Sequence, residues 1–243
     1  TFTDAFTSKD TGRRTHFYFP GTSSLLTPDH FELSRTRARI LHLGLPGLHA
    51  QMDAPWKKDS NGWVTVLRKA QAAGLKTNLE MCSLPAERLS DTVRPCLGHL
   101  DYLIINDFEV AALAGRPVQH GEETDLAACL ENARDVLASG SMELLVVHFP
   151  LGSIAMSREG DPLITPSVAI PKEAVGGPNG AGDAFASGIL YGLHQGWNLK
   201  ATLQLAHAVA AASMRHIGTT DGIDRWQKCL EIASAYGLRE ELI

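Results

Sequence analysis

Short apolar runs alternate with amphipathic stretches along most of this chain. ARILHLG (38–44), LKTNLEMC (75–82), DYLIIN (101–106) and MELLVVHF (142–149) are short, apolar and bounded by turn or polar residues, the pattern of strands. Between them, GWVTVLRKAQAAG (62–74), the stretch 85–96, FEVAALAG (108–115) and TDLAACLENARDVLASG (124–140) read as helices. Strands alternating with helices predict a mostly parallel sheet with helices on its faces, and such sheets bind ligands at their strand tips. SIAMSRE (153–159) and LITPSVAI (163–170), around Gly160-Asp161-Pro162, predict an antiparallel edge, and 181–195, 199–216 and 223–236 are helical. The opening residues differ. Stretches 3–8 and 13–19, joined by KDTG, predict a hairpin that has no core of its own and must cover something else.

Composition narrows the class. With 243 residues, 44% of them hydrophobic and 20% charged, the chain suits one large α/β domain with at most a small appendage. A net charge of -5 gives no basic footprint for nucleic acid. Neither a bilayer-spanning apolar run nor a signal peptide is read at Thr1, so a cytoplasmic protein with no membrane partner is expected. The four cysteines form no C-x-x-C pair and the ten histidines no H-E-x-x-H cluster, which argues against a zinc site or disulfide framework.

GGPNGAGDAF (176–185) places a flexible run immediately before a helix, with Asp183 at the junction. Amides at a helix start lack intrahelical acceptors and attract anions, and Gly180, Ala181 and Gly182 are small enough for a phosphate to approach them. An acid there repels a bound phosphate, but it has a use as the base for a hydroxyl attacking that phosphate. The competing reading makes Asp183 a helix cap beside a tight turn. A Walker loop is excluded, because no Gly-Lys-Ser/Thr follows.

GAGDAFASGILYGL resembles the C-terminal signature of the ribokinase-like, or PfkB, family of carbohydrate and nucleoside kinases. The resemblance implies a three-layer α/β/α sandwich with a mostly parallel central sheet and a small β lid. It makes Asp183 the catalytic base and Gly180, Ala181 and Gly182 the anion hole. NDFEVAALAG resembles the family's N-x-x-E motif, which places Asn106 and Glu109 at Mg-ATP, Glu109 acting on Mg²⁺ through water. The same two residues also satisfy a helix capping box. In ATLQLAHAVAAASMRHIG, similar to the helix beside the adenine pocket, His207 is either an adenine contact or a packed helix residue. Asn78 and Glu80 fall where the family has a D-x-N strand end facing the substrate; Glu80 either orients cation water or is a solvated strand-end acid. TGRRTHFYFPG resembles the lid strands, where Arg13 and Arg14 either meet the substrate or remain solvated. Residues 1–20 would then be part of the lid and 21–243 the nucleotide-binding core.

Three departures bear on this reading. Gly177-Pro178 stands where the family has Asp-Thr, which argues against activation by potassium or another monovalent cation, and Pro178 removes one amide donor. HFPLGSIA replaces the family's T-L-G-x-x-G, with His148 and Pro150 at altered positions and only Gly152 retained, off register, toward the nucleotide. No strand with a Gly-Gly loop and sugar-binding acid precedes Thr1, so an upstream N-terminal segment is expected to be missing from this numbering. The resulting expectation is ATP-dependent phosphoryl transfer to a hydroxyl of a sugar or related polyol, by a homodimer joined through the lid. A nucleoside kinase and a non-catalytic nucleotide- or sugar-binding regulator are the alternatives. A dinucleotide oxidoreductase is disfavoured, since no G-x-G-x-x-G follows an early strand.

Overall fold

In a computed structural model, which describes residues 1–8, 14–82, 84–120, 123–240 and 242, the hairpin is β1 (Phe2–Thr7) and β2 (Arg14–Phe19). The core then runs β3 (Ile40–Leu43), α1 (Ala50–Asp53), α2 (Gly62–Ala72), β4 (Lys76–Leu79), α3 (Ala86–Val93), β5 (Tyr102–Asn106) and α4 (Asp107–Ala114). After β6 (Gln119–His120) and β7 (Glu123–Thr124) come α5 (Leu126–Ala138), β8 (Leu144–Phe149), β9 (Gly152–Ser157) and β10 (Leu163–Pro166). Three helices close the chain: α6 (Ala181–Gln195), α7 (Leu199–Met214) and α8 (Trp226–Tyr236).

The central sheet has the order β10-β9-β8-β5-β4-β3. Strands β3, β4, β5 and β8 are parallel, while β9 and β10 form the antiparallel edge that the turn at 160–162 predicted. The last strand stops at Pro166, short of the expected 170, where a residue without an N–H interrupts a ladder. Val168 makes only an isolated bridge to Leu238 beyond it.

Strand alternation assigns each side chain to a layer. Leu43, Leu79, Leu103, Ile105, Leu145 and Val147 face one way and pack against Trp63 and Leu67 of α2, Leu89 of α3, Val110 of α4 and Val136 of α5. Ile104, Leu144 and Val146 face the other way, against Phe185 and Ile189 of α6 and Leu203 and Ala206 of α7. Two helical layers therefore enclose the sheet, the ribokinase-like α/β/α sandwich that the sequence resemblance implied. Each fully buried large side chain, such as Trp63 or Leu103, contributes roughly 1.5–3 kcal/mol. Helix α6 lies close on α7 because Gly188 leaves room: a Cβ there would stand 2.6 Å from Ala206 Cα.

On the α6 side, the outer strands change character. Register aligns His42 of β3 with Asn78 of β4 and Asn78 with Tyr102 of β5. Asn106 of β5 is likewise aligned with His148 of β8. The ladder continues past β4, with Glu80 N–H donating to the Leu43 carbonyl at 2.7 Å. His42, Asn78, Glu80, Asn106 and His148 thus share one face near the carboxyl ends of the parallel strands, which is where the start of α6 arrives.

The hairpin forms a separate two-stranded sheet. Phe2 stacks on Phe19 with centroids 5.4 Å apart, and Phe6 meets Phe17 edge-on at 5.5 Å. All four rings are exposed. The KDTG turn and Arg13 lie outside the described residues, as does the side chain of Arg14, the first residue of β2.

Candidate active site

The glycine run divides into two parts with different tasks. Gly176 and Gly177 N–H both donate to the Met214 carbonyl, at 2.8 and 3.2 Å, which ties the run to the end of α7. A Cβ on Gly176 would stand 2.8 Å from the Arg215 carbonyl oxygen. The second part shapes the helix start. Gly180 has φ +79°, in the left-handed region, and a Cβ there would stand 2.8 Å from Thr219 Cβ. Glycine is required at this position on both counts.

No side chain caps α6 at Gly180, so the cap reading of Asp183 fails; it sits inside the first turn with its side chain exposed. Ala181 N–H turns back to the Pro178 carbonyl at 3.3 Å. Gly182 and Asp183 follow in this first turn, where a helix supplies no carbonyl partner to its leading N–H groups. His148 lies beneath them: a Cβ on Gly182 would be 3.3 Å from His148 Cε1.

Asn106 and Glu109 build a complete capping box on α4. Asn106 Oδ1 accepts from Glu109 N–H at 2.9 Å, and Asn106 N–H donates to Glu109 Oε2 at 2.9 Å. Glu109 is nonetheless buried and electrostatically part of the site. Burial pushes its carboxyl up to about 7, with the Asn106 hydrogen bonds opposing and the charges of Asp107 and Asp183 adding. Glu80 is pushed up further, to about 8, first by burial and then by Asp183 and Glu109. Three carboxylates from β4, α4 and α6 therefore share one field.

His42, which the motif reading passed over, completes this side. Asn78 is fully buried and its Nδ2 donates to His42 Nδ1 at 2.8 Å. The His42 proton then sits on Nε2, 3.4 Å from Glu80 Oε2. Burial holds the imidazole below its ordinary range, and the charge of Asp183 opposes that. The available signal was a histidine inside the apolar run ARILHLG, which strand periodicity alone treats as a solvated edge residue.

Two residues expected toward the nucleotide are closely packed in this structure. His207 is 95% removed from solvent, bonded through Nε2 to Ser153 Oγ at 2.9 Å and packed edge-on against Phe185 at 5.0 Å. Its environment is that of a core residue, which fits the packed-helix alternative. Gly152 opens β9 after a two-residue turn, and a Cβ there would meet the Thr165 carbonyl at 2.4 Å. Sheet packing accounts for that glycine, not nucleotide approach. His148 and His207 flank Phe185, and burial pushes both rings down to about 4, so both are neutral near pH 7.

Among the described residues, no three His, Cys, Asp or Glu side chains converge to hold a metal directly. The carboxylates fit a different arrangement, in which a hard cation is carried by phosphates and reaches Glu109 through water. None of the helices described is long and apolar enough to cross a membrane.

Amides at a helix start, an exposed acid in the same turn and further carboxyl groups near the strand ends are thus gathered at one end of the α/β sandwich. The model of the pfkB family carbohydrate kinases matches residues 3–226, and the chain belongs to that family. It is 26% identical over 204 residues to 1-phosphofructokinase of Rhodobacter capsulatus, covering 84% of this chain and 60% of that protein. This chain thus spans less than two thirds of that relative's length. Among solved structures, a nucleoside kinase of Burkholderia thailandensis in complex with inosine has a TM-score of 0.67 at 18% identity. The likeness covers 96% of this chain and 70% of that one. Arabidopsis thaliana ribokinase complexed with ribose and ATP has a TM-score of 0.66 at 17% identity, over 92% of this chain and 66% of that one. Both share its fold.

The carboxylate cluster predicts a pH dependence of stability. Folded Glu80 and Glu109 keep protons up to about 8 and about 7, whereas unfolded carboxyls release them near 4.5. Between these values the folded chain binds more protons, so its stability falls as pH rises from 4.5 toward 8. Glu80→Gln should raise the urea midpoint more at pH 8 than at pH 5. An equal effect at both pH values contradicts the shared-field description.

Proposed function

We propose that this site moves the γ-phosphoryl group of ATP to a hydroxyl of a sugar. The observation that carries the reading is Asp183, exposed in the first turn of α6, with its charge acting on both Glu80 and Glu109. Asp183 takes the proton of the acceptor hydroxyl as that oxygen forms its bond to the γ-phosphorus. The bond from phosphorus to the bridging oxygen breaks, and its electron pair leaves with ADP. The Gly182 and Asp183 amides, with the dipole of α6 behind them, stabilise charge on the transferring group. Mg²⁺ bound with the nucleotide would supply charge neutralisation on the phosphates, and Glu109, fixed by Asn106, would hold its water shell. Gly180 and Ala181 shape this turn.

Asn78 and Glu80 lie on the acceptor side, and lid residues including Arg14 close over it. Residues 1–20 are the lid and 21–243 the core of this reading. Gly177-Pro178 in place of Asp-Thr favours catalysis without a monovalent cation. ATP use and four free cysteines, Cys82, Cys96, Cys129 and Cys229, fit a cytoplasmic enzyme. A nucleoside acceptor is the second reading, favoured by the likeness to the inosine-bound nucleoside kinase.

The exposed rings of Phe2, Phe6, Phe17 and Phe19 support a homodimer that buries the two hairpins against each other. Phe6→Ser with Phe17→Ser should sediment as a monomer where the wild type sediments as a dimer; a monomeric wild type contradicts it. Asp183→Asn should bind ATP with unchanged affinity while losing transfer by at least ~100-fold. Wild-type turnover by that variant overturns the assignment of the base.

A further inference from the structure

The outer strands carry polar groups that the transfer step leaves unused. Asn78 is completely buried, yet its Oδ1 has no hydrogen-bond partner. Glu80 Oε2 is buried and in the same state, since 3.4 Å from His42 Nε2 does not amount to a hydrogen bond here. A buried polar atom without a partner costs on the order of 1–3 kcal/mol, so two adjacent ones on a single shelf point to a ligand that completes them. The shelf ends in His42, whose side chain retains 42% of its exposure.

Position separates this shelf from the nucleotide. Strands lie about 4.8 Å apart, so β3 is roughly 14 Å across the sheet from β8, three spacings away. A phosphate on the Gly182 amide, above His148 of β8, is out of reach of His42. Asp183 spans the gap electrostatically, because its charge acts on His42, on Glu80 and on Glu109 alike. A molecule on the β3–β4 shelf therefore sits on the acceptor side of the base.

We propose that His42, oriented by Asn78, is an acceptor-binding residue that selects an uncharged polyol: His42 Nε2–H and the Glu80 carboxyl engage two neighbouring hydroxyls and hold a third at Asp183. The inference rests on the kinase reading for the third hydroxyl only. Hydroxyls suit the shelf because each both donates and accepts, matching the His42 N–H donor and the Glu80 carboxyl together. The charge of Asp183, which already raises Glu80 and Glu109 toward their protonated forms, opposes an acceptor that brings an anionic group to the same place. The Asn78 hydrogen bond fixes the His42 tautomer, so the imidazole presents a donor to the ligand without being charged.

The test measures both binding and transfer. Titration calorimetry follows D-fructose, D-ribose, inosine and D-fructose 1-phosphate binding to wild type, His42→Ala and His42→Gln, and steady-state assays follow transfer from ATP. Wild type should bind at least one of the three uncharged probes at least tenfold more tightly than fructose 1-phosphate. His42→Ala should raise the acceptor KM at least tenfold while leaving the ATP KM unchanged, and His42→Gln should recover most of the loss. A purely structural role moves both KM values together and gains nothing from glutamine. Preference for the sugar phosphate, an unchanged acceptor KM or a matched rise in ATP KM overturns the proposal while the kinase reading stands. Uncharged-polyol binding that depends on His42 but proceeds without transfer upholds the proposal and overturns the kinase reading. Neither binding nor transfer by wild type overturns both.

Discussion

Three carboxyl groups confined to one field are the constraint around which the rest of this molecule is arranged. Glu80 directly follows β4, Glu109 lies in the first turn of α4, and Asp183 lies in the first turn of α6. Left to water, such acids would ionise and repel. Here burial and mutual repulsion hold protons on Glu80 and Glu109 well above their ordinary range. The fold carries that cost through the sandwich behind it, where two apolar layers fix the sheet from both sides. What the cost yields, in the proposed reaction, is a place where a phosphate's charge and an acceptor's proton are handled together.

The same geometry explains why the glycine run is long. Its first glycines dock on the end of α7, where a side chain on Gly176 would meet the Arg215 carbonyl. Its later ones give the left-handed entry to α6 and the small surface over which an anion can approach. Function and packing thus occupy successive residues rather than competing for the same ones. His148, in turn, fills the space under Gly182, joining the end of β8 to the start of the helix. A neutral aromatic ring there supports the turn without adding charge to it.

The fold was largely readable because strand and helix periods alternate cleanly from 38 onward and the parallel strands β3, β5 and β8 are mostly apolar. The ends of elements were less so: Pro166 cuts β10 short, and α4 starts one residue earlier than FEVAALAG indicates because Asn106 caps it. The place of Asp183 in the first turn of α6 was legible because the glycine run gives way there to a helical stretch. Two other residues were not. His207 shares a motif position with nucleotide contacts but faces Phe185 and Ser153, a distinction set by packing across two helices and a strand. His42 belongs to no motif and gains its meaning only when β3 aligns with β4 and brings it to Asn78, 36 residues away in the sequence.

The central claim is that this strand-end cluster transfers a phosphoryl group from ATP to an alcohol. It is tested most directly by ³¹P NMR of the protein with Mg-ATP and an equimolar mixture of uncharged sugars and nucleosides. A new phosphomonoester resonance should grow in step with ADP as the γ-phosphate signal declines, without a matching rise in inorganic phosphate. ADP formed with inorganic phosphate alone, or an ATP spectrum that does not change, would contradict the account.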